Sequence, residues 1–225
     1  MPRRARRTRE KKWGRIMNAI SPKALEELEH NLALLAQAGV RPAQEDFPTR
    51  YLGKWGEDAA GNLHALLMEL GDSDETPDGP RPVGRGIYWL DAECVDNEMA
   101  YVDIVSRLGA LVADRAQVTD IAARYEDGYV TLSFQFNGKP YRLRMEQQND
   151  WINPALLLFF ASCLKENFIF GHLFIAVPDQ CFFLFFGADK QAERLGELTG
   201  LVFEKLSTAA GLRRRNEAAD GTARV

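Results

Sequence analysis

The densest group of side chains able to do chemistry lies in the stretch LDAECVDNE, which gathers Asp91, Glu93, Asp96 and Glu98. Carboxylates this close could hold magnesium or calcium and so support a metal-dependent reaction. A plainer use competes. Asp96 is placed to cap the helix that follows, and acids near a helix N-terminus are favoured by its dipole. A metal-dependent enzyme built on the cluster near Asp91 therefore ranks behind binding roles. His30, His64 and His172 lie far apart with no ligand spacing around any of them. Cys94, Cys163 and Cys181 are odd in number and widely spaced, which suits neither a disulfide framework nor a zinc site. Cys163 and Cys181 sit in apolar runs and read as small buried hydrophobes. The segment GPRPVGRG is glycine-rich but lacks the spacing and lysine of a phosphate loop, and no nucleophile elbow or dinucleotide fingerprint appears. The expectation is a non-enzyme with no catalytic residue, no metal and no cofactor.

Binding chemistry is better represented. Arg142 and Arg144 alternate along one segment, and pairing with the preceding segment would set Ser133 and Thr131 beside them. Arginines flanked by hydroxyls suit a carboxylate or phosphate and could dock an acidic partner. Trp151, at the entrance of an apolar helix, is a candidate interface anchor. Arg142, Arg144, Ser133 and Trp151 are thus the expected partner-binding residues.

Charge narrows the partners. Of the 225 residues, numbers 16 to 212 hold 16 basic against 29 acidic side chains, a formal balance of about −13. Such a body repels nucleic acid and anionic lipid over most of its surface. Residues 1 to 15 instead hold eight basic side chains and one acid. No long apolar stretch follows them, so a secretory signal is not supported, and Met17 is an alternative start. Residues 1–20 are expected to form a disordered, dispensable leader, with nucleic-acid binding through it weak at most. Residues 208–225 are expected to form a second disordered tail. Sparse cysteine and no export signal point to the cytoplasm.

The elements that would position these residues follow from periodicity. Ser21-Pro22 opens a helix with Leu25, Leu28, Leu32 and Leu35 on one stripe to about Ala38. The polar stretch VRPAQEDFPTRY leads to a second helix near Glu57 to Leu70, and GDSDETPDGPRP reads as a mobile acidic loop. These make a helical region with linker over 21–80. An α+β domain over 81–207 should follow, with a short strand in GRGIYWLDAE and a helix capped by Asp96.

Residues 118 to 146 predict three strands joined by Asp127-Gly128 and Asn137-Gly138, dipeptides that accept the positive φ of two-residue hairpin turns. The register places Phe134 opposite Tyr141, Leu132 opposite Leu143 and Val130 opposite Met145, all on one dry face. Asn153 and Pro154 start a helix whose body ALLLFFASCL is apolar nearly all round.

Residues 168–177 and 181–187 are largely apolar runs of ten and seven residues with Pro178, Asp179 and Gln180 between them. That is too short for a membrane helix, which needs about 20 residues, so they predict an antiparallel strand pair. The last helix should start at Asp189 and carry Leu195, Leu198, Val202 and Leu206. The expected fold is α+β, one antiparallel sheet of about five strands with helices packed against it. The helix at 154 to 165 and the strand at 168 to 177 are apolar on more sides than one layer covers. Either the N-terminal helices supply the cover, giving a monomer, or a homodimer does, with Leu158, Phe159 and Phe168 as contacts.

The order helix, three strands, helix, two strands, helix over residues 96–206 resembles the small chaperones of type III secretion systems. That resemblance implies an acidic cytoplasmic dimer that binds an extended client segment. The run FNGKPYRLRMEQQNDWINPALLLFFASCL is also similar to uncharacterised bacterial proteins of the immunity type, which implies neutralisation of a basic toxin. Both resemblances lead to the same expectation, a cytoplasmic protein-binding module.

Overall fold

A computed structural model describes residues 20–74, 76 and 80–206. The leader and the tail lie outside the described residues.

Helix α1 spans Pro22–Gln37; Ser21 is extended at φ −72° and ψ 144°, and its Oγ accepts from Ala24 N at 3.3 Å. Leu28, Leu32 and Leu35 bury the stripe that the spacing predicts. The stretch expected as a polar connection instead folds as α2, Phe47–Trp55. Its composition hides the helix because only Phe47, Tyr51 and Leu52 turn inward, while Pro48 suits a first helical turn. Gly56, at φ 84°, breaks the chain, and Glu57–Ala59 make only one 3₁₀ turn. Helix α3 therefore starts later than the sequence suggests, at Leu63–Gly71, where Asn62 Oδ1 accepts from Ala65 N at 3.0 Å.

Two short ribbons follow. Strands β1 (Arg41–Pro42) and β4 (Gly84–Arg85) pair antiparallel, as do β2 (Ser73–Asp74) and β3 (Arg81–Pro82). The expected acidic loop is thus closed at its base by β2 and β3.

The meander forms as expected: β6 (Val118–Glu126), β7 (Tyr129–Phe136) and β8 (Lys139–Glu146). Both turn pairs adopt positive φ, at 50° and 76° and at 51° and 77°, and Phe134–Tyr141, Leu132–Leu143 and Val130–Met145 are in register. Above it, helix α4 (Ala100–Leu111) begins beyond the expected cap: Asn97 Oδ1, not Asp96, accepts from Met99 N at 2.8 Å. Helix α5 (Ala155–Glu166) starts just past Asn153, whose Oδ1 accepts from Ala155 N at 2.9 Å.

The meander does not join the remaining strands in a single sheet of about five. A separate four-stranded antiparallel sheet runs β11 (Glu204–Lys205), β9 (His172–Ala176), β10 (Cys181–Gly187) and β5 (Ile87–Asp91). Strands β9, β10 and β5 are apolar on both faces because each face closes a different core. Leu173, Ile175, Leu184 and Phe186 pack with the meander, α4 and α5. Phe174, Ala176, Phe183 and Phe185 pack with α1, α2, α3 and α6 (Asp189–Thr199). The N-terminal helices thus cover the second face of the sheet, while the buried side chains of α5, Leu156, Leu157, Phe160, Cys163 and Leu164, all pack in the first core. The wet outer face of the meander bars it from so enclosed a position.

Two strand and helix ends depart from expectation. β9 starts at His172 rather than 168, because α5 ends at Asn167 and the chain turns through Phe168 in the left-handed region before Gly171 at φ 117°. The last helix is entered through Ala188, whose N–H donates to Gln191 Oε1 at 3.0 Å, with Asp189 as its first residue. It stops at Thr199, where Gly200 is left-handed at φ 74°, so Val202 and Leu206 are not helical. The freed segment returns as β11, held also by Lys205 Nζ to Asp189 Oδ1 at 2.8 Å. Among the described residues no helix is long and apolar enough to cross a membrane.

Candidate binding edge

One edge of the molecule collects arginine. A cleft of about 540 Å³ is bounded by the end of α1, the β1–β4 ribbon, β3, the end of α4 and Phe186. Arg41, Arg81, Arg85 and Arg115 line it, against a single carboxylate, Asp114. Four of the body's basic residues therefore meet in one depression of a chain whose body is strongly acidic.

Backbone packing fixes these arginines. A side chain at Gly86 would lie 2.2 Å from Gly39 O, and one at Gly84 would lie 2.6 Å from Leu70 O. The glycines of GPRPVGRG thus serve close backbone approach, which holds Arg85 between two immovable neighbours. Across the ribbon, Arg41 stands directly opposite Arg85. Like charges in directly opposed positions destabilise a strand pair. Arg41, Arg81 and Arg85 have no carboxylate partner among the described residues. The C-terminal ends of α1 and α4 border the cleft, and their partial negative charge favours the arginines there. The N–H groups of Ala38, Gly39 and Val40 fold back onto α1, and those of Val112, Arg115 and Ala116 onto α4 and its exit.

Arg115 joins the cleft to a second feature. Its guanidinium lies 5.4 Å from the centre of the Phe186 ring, and Nη1 donates to Phe170 O. Phe168 and Phe170, each 87% exposed, form a lip beside the cleft. Phe168 is the left-handed residue at the end of α5, with Phe168 N bonded to Lys165 O at 3.1 Å and Ile169 N to Leu164 O at 3.0 Å. This is the helix-ending geometry that glycine normally occupies. A bulky residue there is strained, and a phenyl ring in water gains nothing for the fold.

The residues singled out from sequence lie elsewhere. Arg142 and Arg144 share the wet face of the meander, opposite Ser133 and Thr131 as expected. The Arg144 guanidinium stacks 3.8 Å above the Tyr129 ring, and Ser133 Oγ lies 3.5 Å from Ala122 O. Trp151 is 40% exposed in the turn before α5, bridged to Gln148. Leu158 and Phe159 are half-buried, with the Phe159 ring 6.1 Å from both Phe134 and Tyr141.

In the acidic cluster, Asp91 Oδ1 accepts from Glu93 N at 3.0 Å and Asp96 Oδ1 from Asn97 Nδ2 at 2.6 Å. Among the described residues no three His, Cys, Asp or Glu side chains gather as a metal site. Burial pushes the Cys94 thiol up to about 11 and that of Cys163 up to about 12, so both stay protonated near neutrality. Cys163 is fully buried as expected, whereas Cys181 is only partly so.

The cleft arginines escaped sequence reasoning because they come from three separated segments, at Arg41, Arg81 with Arg85, and Arg115. The one available hint was arginine recurring beside glycine and proline in an acidic context, at Arg41, Arg81 and Arg85. Comparison with protein-family models, with curated proteins and with solved structures returns no match.

Proposed function

We propose that this chain is a binding protein that docks another protein across the edge formed by the Phe168–Phe170 lip and the arginine-lined cleft. The observation that carries the reading is Phe168. A strained, left-handed residue that leaves an apolar ring in water lowers stability without a return inside the fold, which is the mark of a residue kept for contact. The neighbouring arginines supply charge complementarity, so the fitting partner segment combines apolar and acidic side chains. An extended client segment of that kind corresponds to the chaperone-like use of the molecule.

A second reading draws on the acidic remainder of the body, which suits a basic folded partner and so an immunity-type role. The two differ in the sign of the partner's contact surface. A second copy of the chain meeting at Phe168 is a further outcome the same experiment detects.

The test is capture from the native cell with the wild-type chain and with a Phe168→Ser/Phe170→Ser variant. Both residues are exposed, so the variant should keep the wild-type circular dichroism spectrum. The expected result is a partner held by the wild type and lost by the variant, with sedimentation showing whether that partner is another copy. An identical set of captured proteins from both would overturn the docking edge.

A further inference from the structure

We infer that the arginine cleft is a binding site for a phosphoryl group. The inference deepens the docking edge proposed above and takes only its location from it. The charge count decides between anions. One carboxylate is matched by one guanidinium through two parallel hydrogen bonds. Here four guanidinium side chains line one cleft with one opposing carboxylate, Asp114. Arg41 and Arg85 are held opposite each other across a strand pair, an arrangement that a single monoanion leaves under-neutralised. A phosphoryl group brings a charge of about −1.5 to −2 and three acceptor oxygens, enough to engage both facing arginines at once.

The walls agree with this ligand. Gly39, Gly84 and Gly86 line the cleft, and their close packing against Gln191, Leu70 O and Gly39 O fixes the ribbon that carries Arg41 and Arg85. The cleft volume, about 540 Å³, exceeds a bare phosphate and leaves room for what carries it. Phe186, under the Arg115 guanidinium, offers that carrier an apolar wall. The meander arginines lack this arrangement. Arg142 and Arg144 lie on one strand opposite hydroxyls, with Arg144 spent on Tyr129.

Calorimetric titration of the full chain at low salt tests the site, with three probes. These are inorganic pyrophosphate, succinate, and a peptide of two leucines flanking phosphoserine alongside its unphosphorylated twin. Saturable one-to-one binding of the phosphorylated probes is expected, at least tenfold tighter than succinate and weakening as salt rises. Arg41→Ala/Arg85→Ala should weaken it at least tenfold, and Arg81→Ala separately should weaken it less. Arg142→Ala/Arg144→Ala should leave it unchanged. A phosphopeptide that binds more tightly than pyrophosphate puts the phosphoryl group on a docked chain; the reverse order puts it on a small molecule. Absence of saturable binding, succinate as tight as pyrophosphate, or an equal loss in the Arg142/Arg144 variant would each overturn the site. Pyrophosphate binding needs no protein partner and should survive Phe168→Ser/Phe170→Ser, so failure of the site and failure of the docking edge read differently.

Discussion

The meander and the cleft edge use arginine in opposite ways. On the meander, Arg144 faces Thr131 and stacks on Tyr129, Arg142 faces Ser133, and both turns carry the residues their φ angles demand. Most local preferences there agree with the fold, the exception being Asp120, left-handed at φ 53° where β6 slips register between Thr119 and Ala122. At the cleft edge, Arg41 faces Arg85, Phe168 occupies a glycine conformation, and two phenyl rings stand in water. Facing like charges and phenyl rings 87% exposed have no counterpart on the meander.

Substitutions can break or sharpen that contrast. The largest effect belongs to the meander. Leu132→Ala empties a fully buried position in the first core and should cost about 2–5 kcal/mol of stability, read from urea unfolding. A cost under about 1 kcal/mol would mean that the meander is not the well-packed half of the comparison. At the edge the sign should reverse. Phe168→Gly relieves the left-handed backbone and should stabilise the chain by about 0.5–1 kcal/mol while removing partner contact. Destabilisation by that change would show that the phenyl ring serves the fold after all. The smallest effect is electrostatic. Arg85→Ala removes a like-charge pair and should stabilise the free protein by about 0.2–1 kcal/mol at low salt, the gain fading as salt rises. Arg144→Ala, which loses its stacking on Tyr129, should not stabilise; equal gains from both would erase the distinction between the two sets.

Much of the architecture was legible in single segments. Ser21-Pro22 and the leucine spacing gave α1, and Asp127-Gly128 and Asn137-Gly138 gave the meander down to its register. The unbroken apolar run at 181–187 gave β10 as a strand enclosed on both sides. In each, the signal lies within about ten residues and reports directly on backbone preference or burial. α2 was missed because its proline and polar residues look like a connection, and only three of its side chains are buried. β11 was missed because the helical spacing of Val202 and Leu206 continues past Gly200, where the backbone leaves the helix.

The sequence alone therefore determined the types of most elements, the acidic balance of the body and the presence of strands apolar on both faces. Those follow from composition and short-range periodicity, which act along the chain. Tertiary structure alone decided that the strands form two sheets rather than one, since β5 and β11 reach β10 and β9 from opposite ends of the domain. It alone decided that Arg41, Arg81, Arg85 and Arg115 share a cleft. Spacing carries no trace of such a meeting, because Arg41, the Arg81–Arg85 pair and Arg115 are ordinary exposed residues of three separate segments. The packing of Gly86 on Gly39 and of Gly84 on Leu70 sets the ribbon with its arginines, and the end of α4 brings Arg115 to it.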